Sequence, residues 1–264
     1  MYDFEFVRPS SIADAVAALS ADEAQALGGG QTLLPTMKQR LAQPASLVSL
    51  NGIAEMQGIC LNDAGQLCIG GATTHGAVAS EGAAHYAGLA DLAGHIGDPA
   101  VRNRGTIGGS LANNDPSACY PAAALGSGAV IKTNSREIAA DDFFDGMFTT
   151  ALEEGEIITE VKFPIPEKSN YQKFVQPASR FALVGVFVAK YAGGVRVAVT
   201  GASSDGVFRW NEAEAALSAD FSDAAVAALD APSADGMIAD LHGSGAYRAH
   251  LVKVMTARAV AAAA

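Results

Sequence analysis

Two glycine clusters constrain this chain more than any other feature: Gly28-Gly29-Gly30, and Gly108-Gly109 within Arg104-Gly105-Thr106-Ile107-Gly108-Gly109-Ser110. The first lies between a short apolar run and helix-patterned sequence. Without a Cβ, the backbone can turn sharply and bring bare N–H groups close to a neighbour or a ligand. A strand, a glycine turn and a helix start together suit an anion, phosphate above all, because the first helical amides lack internal partners. The first cluster is not a G-x-G-x-x-G, and it lacks the lysine of a nucleoside-triphosphate loop. By itself it reads equally as a plain turn or as a phosphate loop. The second cluster adds weight. Two such loops would grip the two phosphates of one dinucleotide from opposite sides, with the hydroxyls of Thr32, Thr106 and Ser110 as further donors. Behind it come Asn114 and Asp115, whose amide and carboxylate groups suit ribose or ribityl hydroxyls.

Composition removes several other classes. Half of the 264 residues are hydrophobic and only 17% are charged, so a sizeable core forms and disorder is excluded. The net charge of −11, with no basic block, disfavours nucleic acid as a partner. Three cysteines, Cys60, Cys68 and Cys119, are too few for a disulfide framework or for a four-cysteine iron–sulfur cluster. Met1 to Phe6 is acidic and mixed, unlike a signal peptide. Apolar runs are broken well short of the roughly 20 residues of a membrane span. No transmembrane segment is expected, and a cytoplasmic location follows.

The pattern along the chain divides into three units. In the first, ending near residue 53, strands are expected at Phe4–Val7, Ala24–Leu27 and Ser46–Leu50. Ser10 or Ser11 caps a helix carrying Ile12, Ala15, Val16 and Leu19, and a second helix runs through Met37, Lys38, Arg40 and Leu41. The second unit, 54–170, carries strands at Gln66–Gly70, Ala129–Thr133 and Glu156–Phe163 and a helix over Ala84–Ile96. The third, 171–264, opens with a hairpin across Gly193-Gly194 and closes with a helix from Ala246 onward.

At this level of detail the chain resembles the FAD-binding medium subunit of the molybdenum hydroxylases, the xanthine dehydrogenase and aerobic carbon monoxide dehydrogenase family. The residues that carry the resemblance are Ala26 to Pro35, Gly97 to Ala112, Tyr2 to Pro9, Gly155 to Pro164 and Pro177 to Ala182. It implies an α+β fold: two FAD-binding subdomains of the vanillyl-alcohol oxidase type, plus a C-terminal domain of antiparallel sheet and helices. It also implies that Gly28, Gly29, Gly30, Gln31, Thr32 and Leu33, with Thr106, Ile107, Gly108, Gly109 and Ser110, hold the pyrophosphate. By the same resemblance, Asn114 and Asp115 lie on the ribityl or adenosine side, and Ile96 and Ile158 line the flavin. Position 119 is Cys where several relatives have a carboxylate that reaches FAD. The first loop has Gln31 and neither His nor Cys, so non-covalent FAD is expected.

The implied function is electron transfer within a complex. A large molybdenum–pterin subunit oxidises the substrate, and a small subunit carries the iron–sulfur clusters. The expected assembly is a dimer of such heterotrimers, and no residue of this chain acts on the organic substrate. A self-contained flavin oxidase of the same fold and a non-catalytic FAD-binding scaffold remain as alternatives. Other polar residues read more plainly. His75, His85 and His95 are expected to be surface or locally bonded, although His75 follows Thr73-Thr74 near the adenine end in relatives. Arg102 and Arg104 either counter the pyrophosphate or pair with carboxylates. Trp210 packs, and Asp141-Asp142 cap a helix containing Phe143 and Phe144.

Overall fold

The computed structural model describes residues 1–264 and builds three sheets. The first is parallel, in the order β1-β3-β2: β1 is Glu5–Val7, β2 is Ala24–Leu27 and β3 is Ser46–Ser49. Between β1 and β2, α1 (Ile12–Leu19) is capped by Ser11, whose Oγ accepts from Asp14 N at 3.1 Å. It lays Ala15 over Val48 of β3. After β2, α2 spans only Leu33–Lys38. The expected extension through Arg40 and Leu41 fails because Arg40 takes the left-handed conformation (φ 61). Leu41 N then donates to Thr36 O and Arg40 N to Met37 O, a Schellman closure with arginine where glycine is usual.

The second sheet is antiparallel, in the order β4-β5-β8-β6-β7. After a 3-10 turn at Ala54–Met56 come β4 (Ile59–Leu61) and β5 (Leu67–Gly70), then α3 (His75–Glu81), a 3-10 turn at Gly82–Ala84, α4 (Ala87–Gly94), α5 (Pro99–Arg102), α6 (Ile107–Asn113) and α7 (Tyr120–Ser127). The remaining elements are β6 (Val130–Thr133), β7 (Glu137–Ala139), α8 (Ala140–Phe143) and β8 (Ile158–Phe163). The single helix expected over Ala84–Ile96 is interrupted at Tyr86, whose φ of −144 is non-helical. Burial decides this: the Tyr86 ring enters the core and its hydroxyl reaches Ser127 Oγ at 2.8 Å. Asp141 and Asp142 do not cap a helix. They lie inside the first turn of α8, with Ala139 at its N-cap and Phe144 beyond its end.

The third sheet is antiparallel, in the order β12-β11-β10-β9, from β9 (Lys168–Val175), β10 (Ala182–Tyr191), β11 (Gly194–Ser203) and β12 (Gly206–Arg209). It is followed by α9 (Asn211–Ala219), α10 (Asp223–Ala227) and α11 (Gly245–Ala262). β10 is buried on both faces from Ala182 to Ala189. Val184, Val186 and Val188 join Trp210, Val252 and Met255 in one core, while Phe187 and Ala189 join Tyr86, Tyr120 and Leu125 in another. An apolar run of this kind is more typical of parallel sheets. Here helices cover both sides of an antiparallel hairpin, and one strand ties the C-terminal layer to the second sheet's core. No helix is long and apolar enough to cross a membrane.

Arg196 of β11 is a second tie. Its Nε and Nη2 both donate to Leu125 O of α7, at 3.0 and 2.8 Å, and Nη2 pairs with Asp141 Oδ2 at 2.7 Å. Arg196→Met would remove the guanidinium from both acceptors, leaving the Leu125 carbonyl only Gly128 N, at 3.2 Å, and the Asp141 carboxylate only Arg209 Nη1, at 3.2 Å. Calorimetry should show a loss of about 2–3 kcal/mol, or roughly 5–10 °C in melting temperature. An unchanged melting temperature would mean that the clasp adds nothing.

Candidate functional site

The first loop reaches its conformation by using its acceptors and leaving its donors free. Asn51 Nδ2 donates to Gly28 O at 2.9 Å, Gln31 Nε2 to Gly29 O at 3.2 Å, and Leu34 N to Gly30 O at 3.2 Å. None of the backbone amides from Gly28 to Leu33 donates to a protein acceptor. Gly30 is in the left-handed region (φ 71). A run of successive bare N–H groups around such a residue forms an anion-binding concavity. Since α2 is only six residues long, these local amides, rather than a long helix dipole, supply the positive character.

The second loop is built differently. Ile107 N donates to Thr73 O at 3.1 Å, Gly108 N to Gly71 O at 2.9 Å, Gly109 N to Thr106 Oγ1 at 3.2 Å and Ser110 N to Thr106 O at 3.0 Å. Its amides are largely spent on the fold, so what this loop turns toward the cavity is its hydroxyls, Thr106 and Ser110, rather than a row of free N–H groups. Its glycines serve contact instead. A Cβ on Gly108 would stand 2.6 Å from Gly71 O. The two loops also touch: a Cβ on Gly29 would stand 2.0 Å from Arg104 O, and one on Gly28 would stand 2.9 Å from Thr106 Oγ1.

Between these loops, the second sheet and the C-terminal domain lies a cavity of about 890 Å³, at the upper end of small-molecule sites. Gly28, Gly29, Gly30, Gln31, Thr32 and Leu33 line one side. Thr106, Gly108, Gly109, Ser110 and Asp115 line the facing side, and Ile96 and Ile158 complete the wall. Two sequence candidates are absent from it. Ile107 is fully buried beside Leu111 in the core. Asn114 ends α6 in the left-handed conformation (φ 40), and its Nδ2 donates to Gly146 O at 2.7 Å and Thr149 O at 2.8 Å. Asn113 takes the wall position. Asparagine at a left-handed helix end is a legible signal for this outcome.

The structure also contributes residues that sequence reasoning missed. His75, expected near the surface, is buried and lines the cavity; Thr74 instead caps α3 through Ala77 N. His75 Nδ1 has no partner, and the ring packs 5.3 Å from that of Tyr120, whose hydroxyl is also unpartnered. Burial, with the nearby Arg102 charge second, pulls the His75 pKa down to about 4, so the ring is neutral at ordinary pH. Arg102 neither faces the cavity nor pairs with a carboxylate: its Nη1 donates to Ile96 O and Gly97 O, both at 3.2 Å, and so braces the turn carrying Ile96. Glu156 also lines the cavity. Hydrogen bonds from Arg136, with Thr133, Ser135 and Glu153 N, hold its carboxyl down at about 2. Cys119 is buried at the wall. From the C-terminal domain come Lys173, Ser179, Arg180 and Phe181. Lys173 Nζ donates to His95 O at 2.9 Å, and both Ser179 and Arg180 are left-handed (φ 58).

Residues 2–166 match the family described as "FAD binding domain in molybdopterin dehydrogenase". The carbon monoxide dehydrogenase medium chain of Afipia carboxidovorans is 34% identical, over 97% of this chain and 95% of its own length. The nicotine 6-hydroxylase medium subunit of Paenarthrobacter nicotinovorans is also 34% identical, with the same shares covered. In structure, a chain of reconstituted CO dehydrogenase from Oligotropha carboxidovorans matches with a TM-score of 0.87 at 31% identity, covering 98% of this chain and 97% of that one. A chain of quinoline 2-oxidoreductase from Pseudomonas putida 86 matches with a TM-score of 0.87 at 29% identity, covering 98% and 96%. FAD fits the cavity on chemical grounds. Its pyrophosphate needs donors, which the free amides supply. Its hydroxyls need polar partners, which Ser110, Asn113 and Asp115 offer, and its rings need apolar walls such as Ile96 and Ile158.

Two expectations follow. The unfolded chain protonates His75 near its ordinary 6.5, and the folded chain only near 4. The unfolded state therefore binds the extra proton between those values, and stability falls as pH drops through that window. Between pH 7.5 and 4.5 the loss is about 2–3 kcal/mol. Denaturant titrations of His75→Gln should lack that component; an equal slope would place His75 in solvent. Gly29→Ala should separate the loops and abolish flavin retention by the purified protein, since the Arg104 carbonyl cannot yield 1 Å or more without moving the turn between α5 and α6. Full flavin content in that variant would put the cofactor elsewhere.

Proposed function

Because this chain belongs to the FAD-binding medium-subunit family of the molybdenum hydroxylases, we propose that its cavity holds FAD non-covalently and that the chain is the electron-transfer subunit of such a complex. The observation that carries the site assignment is the run of unpaired amides from Gly28 to Leu33 on the wall of an approximately 890 Å³ cavity. Bound FAD supplies the redox chemistry, accepting electrons from iron–sulfur clusters and releasing them to an external acceptor. The chain supplies binding, orientation and shielding. Amides of the first loop bind the pyrophosphate. The contact of Gly28 and Gly29 with the second loop keeps the two sides closed, and Thr106, Gly108, Gly109 and Ser110 form the facing wall. Asp115, with Asn113 in place of Asn114, meets the hydroxyls. Ile96 and Ile158 keep water from the rings, and Phe181 joins them from the C-terminal turn.

The finer architecture belongs to the same proposal. Two FAD-binding subdomains of the vanillyl-alcohol oxidase type, 1–53 and 54–170, clasp the cofactor, and 171–264 closes it. The partners are a large molybdenum–pterin subunit and a small iron–sulfur subunit, assembled in the cytoplasm as a dimer of heterotrimers. Exposed Val175, Leu241 and Tyr247 flank the Phe181 turn, as expected where a partner approaches the flavin edge. His75 and Cys119 are the histidine and the cysteine of the cavity wall.

Acid precipitation of the purified chain should release intact FAD into the supernatant. Flavin left on the polypeptide would point to His75 or Cys119, and FMN would remove the pyrophosphate argument. Expressed alone, the chain should oxidise no hydroxylase substrate. Co-expressed with its partner subunits, it should have its flavin absorbance bleached by substrate under anaerobic conditions. Turnover by the isolated chain would favour the self-contained oxidase.

A further inference from the structure

Arg248, on α11, is only 2% exposed, one of the few residues of a charged type buried in this chain. Its Nη1 donates to Leu183 O at 2.8 Å and to Gly201 O at 2.7 Å, and its Nη2 donates to Asp240 Oδ2 at 2.8 Å. The two carbonyls need it because the strands stop pairing there. The β10–β11 ladder begins only at Gly185 and Thr200, and the β9–β10 register slips between Ala182 and Val184. At Gly201 (φ 80) the strands pinch together, so that a Cβ would stand 2.5 Å from Ala182 O. Leu183 O and Gly201 O thus converge outside the ladder on one nitrogen, Nη1, while Nη2 of the same planar group holds Asp240, so the fork spans the carbonyl pair and the carboxylate.

Each arm of this fork leads to the cavity without Arg248 itself touching it. Leu183 lies two residues after Phe181, which is on the wall. Gly201 N donates to Pro116 O at 2.7 Å, and the neighbouring Thr200 Oγ1 reaches Pro116 O at 2.9 Å and Ala118 O at 2.7 Å, which fixes the wall segment from Asp115 to Cys119. Asp240 belongs to the turn carrying His242. The His242 ring lies 5.8 Å from the Phe181 ring, and its Nδ1 touches Gln176 Nε2. One buried guanidinium therefore sets the positions of the 179–181 turn and the 115–119 wall relative to one another.

We infer that Arg248 is a positioning residue for the flavin site, acting through Leu183, Gly201 and Asp240; the inference rests on the assignment of the cavity to FAD. The test uses the full chain with Arg248→Lys and, separately, Asp240→Asn. Lysine retains the charge and loses the fork; asparagine removes the counter-charge at the far arm. FAD is titrated by fluorescence, visible circular dichroism of the bound flavin is recorded at saturation, and thermal unfolding is measured without flavin. The expected result is an FAD Kd raised by about ten- to a hundredfold in Arg248→Lys and about tenfold in Asp240→Asn. The visible dichroism should change in both, because the walls shift against the bound rings. Wild-type Kd and dichroism in both variants, with only the unfolding temperature lowered, would overturn the inference and leave Arg248 a stabiliser of the C-terminal layer. A wild-type chain that takes up no FAD would overturn the cavity assignment itself, and that result is read without any variant.

Discussion

At Gly29 the backbone lies so near Arg104 that a Cβ would stand 2.0 Å from the arginine's carbonyl oxygen. That contact joins a loop of the first, parallel sheet to the turn leading into α6 of the second unit. The rest of the site depends on it. The first loop keeps its amides free only because Asn51, Gln31 and the Leu34 amide occupy its carbonyls and the facing loop supports it from behind. The second loop supports it because its own amides are bonded inward to Gly71, Thr73 and Thr106. One loop is a set of donors and the other is a buttress, although both look alike as glycine-rich sequence.

The C-terminal layer completes the arrangement. β10 places alternate side chains in two cores, so the layer cannot shift without disturbing the packing of α7 against Phe187 and Ala189. Arg196 clasps Leu125 and Asp141 at one end of this seam, and Arg248 joins Leu183 and Gly201 at the other. Polar groups at the ends of a hydrophobic seam fix its register, which apolar contact alone specifies less sharply. Lys173 and the 179–181 turn reach the cavity from this layer. The site is therefore built from all three sheets, and its electrostatic character is local: the donors lie at the first loop although the chain carries a net charge of −11.

Much of this was legible beforehand, and the failures have specific causes. Strands with β-branched or alternating patterns, the Ser11 cap and the glycine loops were readable because each depends on near neighbours in the chain. Helix limits were less so. Arg40 ends α2 in a conformation that favours glycine, and Tyr86 breaks the expected long helix because its ring is drawn into the core. Asn114 looked like a ligand residue because its chemistry suits one, but its partners, Gly146 and Thr149, are more than thirty positions away. His75 looked exposed because an isolated histidine usually is, and only the packing of Gly105 and Tyr120 around it made it a buried, neutral wall residue.

The amino-acid sequence by itself determined the class of the protein, the order of its units, and the two glycine segments around which a dinucleotide site would form. These are carried by short-range patterns: periodicity, turn residues and runs of small side chains. Only the tertiary structure decided which of the two loops offers its amides, which side chains reach the cavity from the C-terminal hairpin, and which charged residues serve the site from behind it. Those outcomes depend on contacts between segments many tens of residues apart, as with Gly29 and Arg104, or Gly201 and Pro116. A hydrogen-bond donor is available to a ligand only if no distant carbonyl has already taken it, and local sequence carries no record of that.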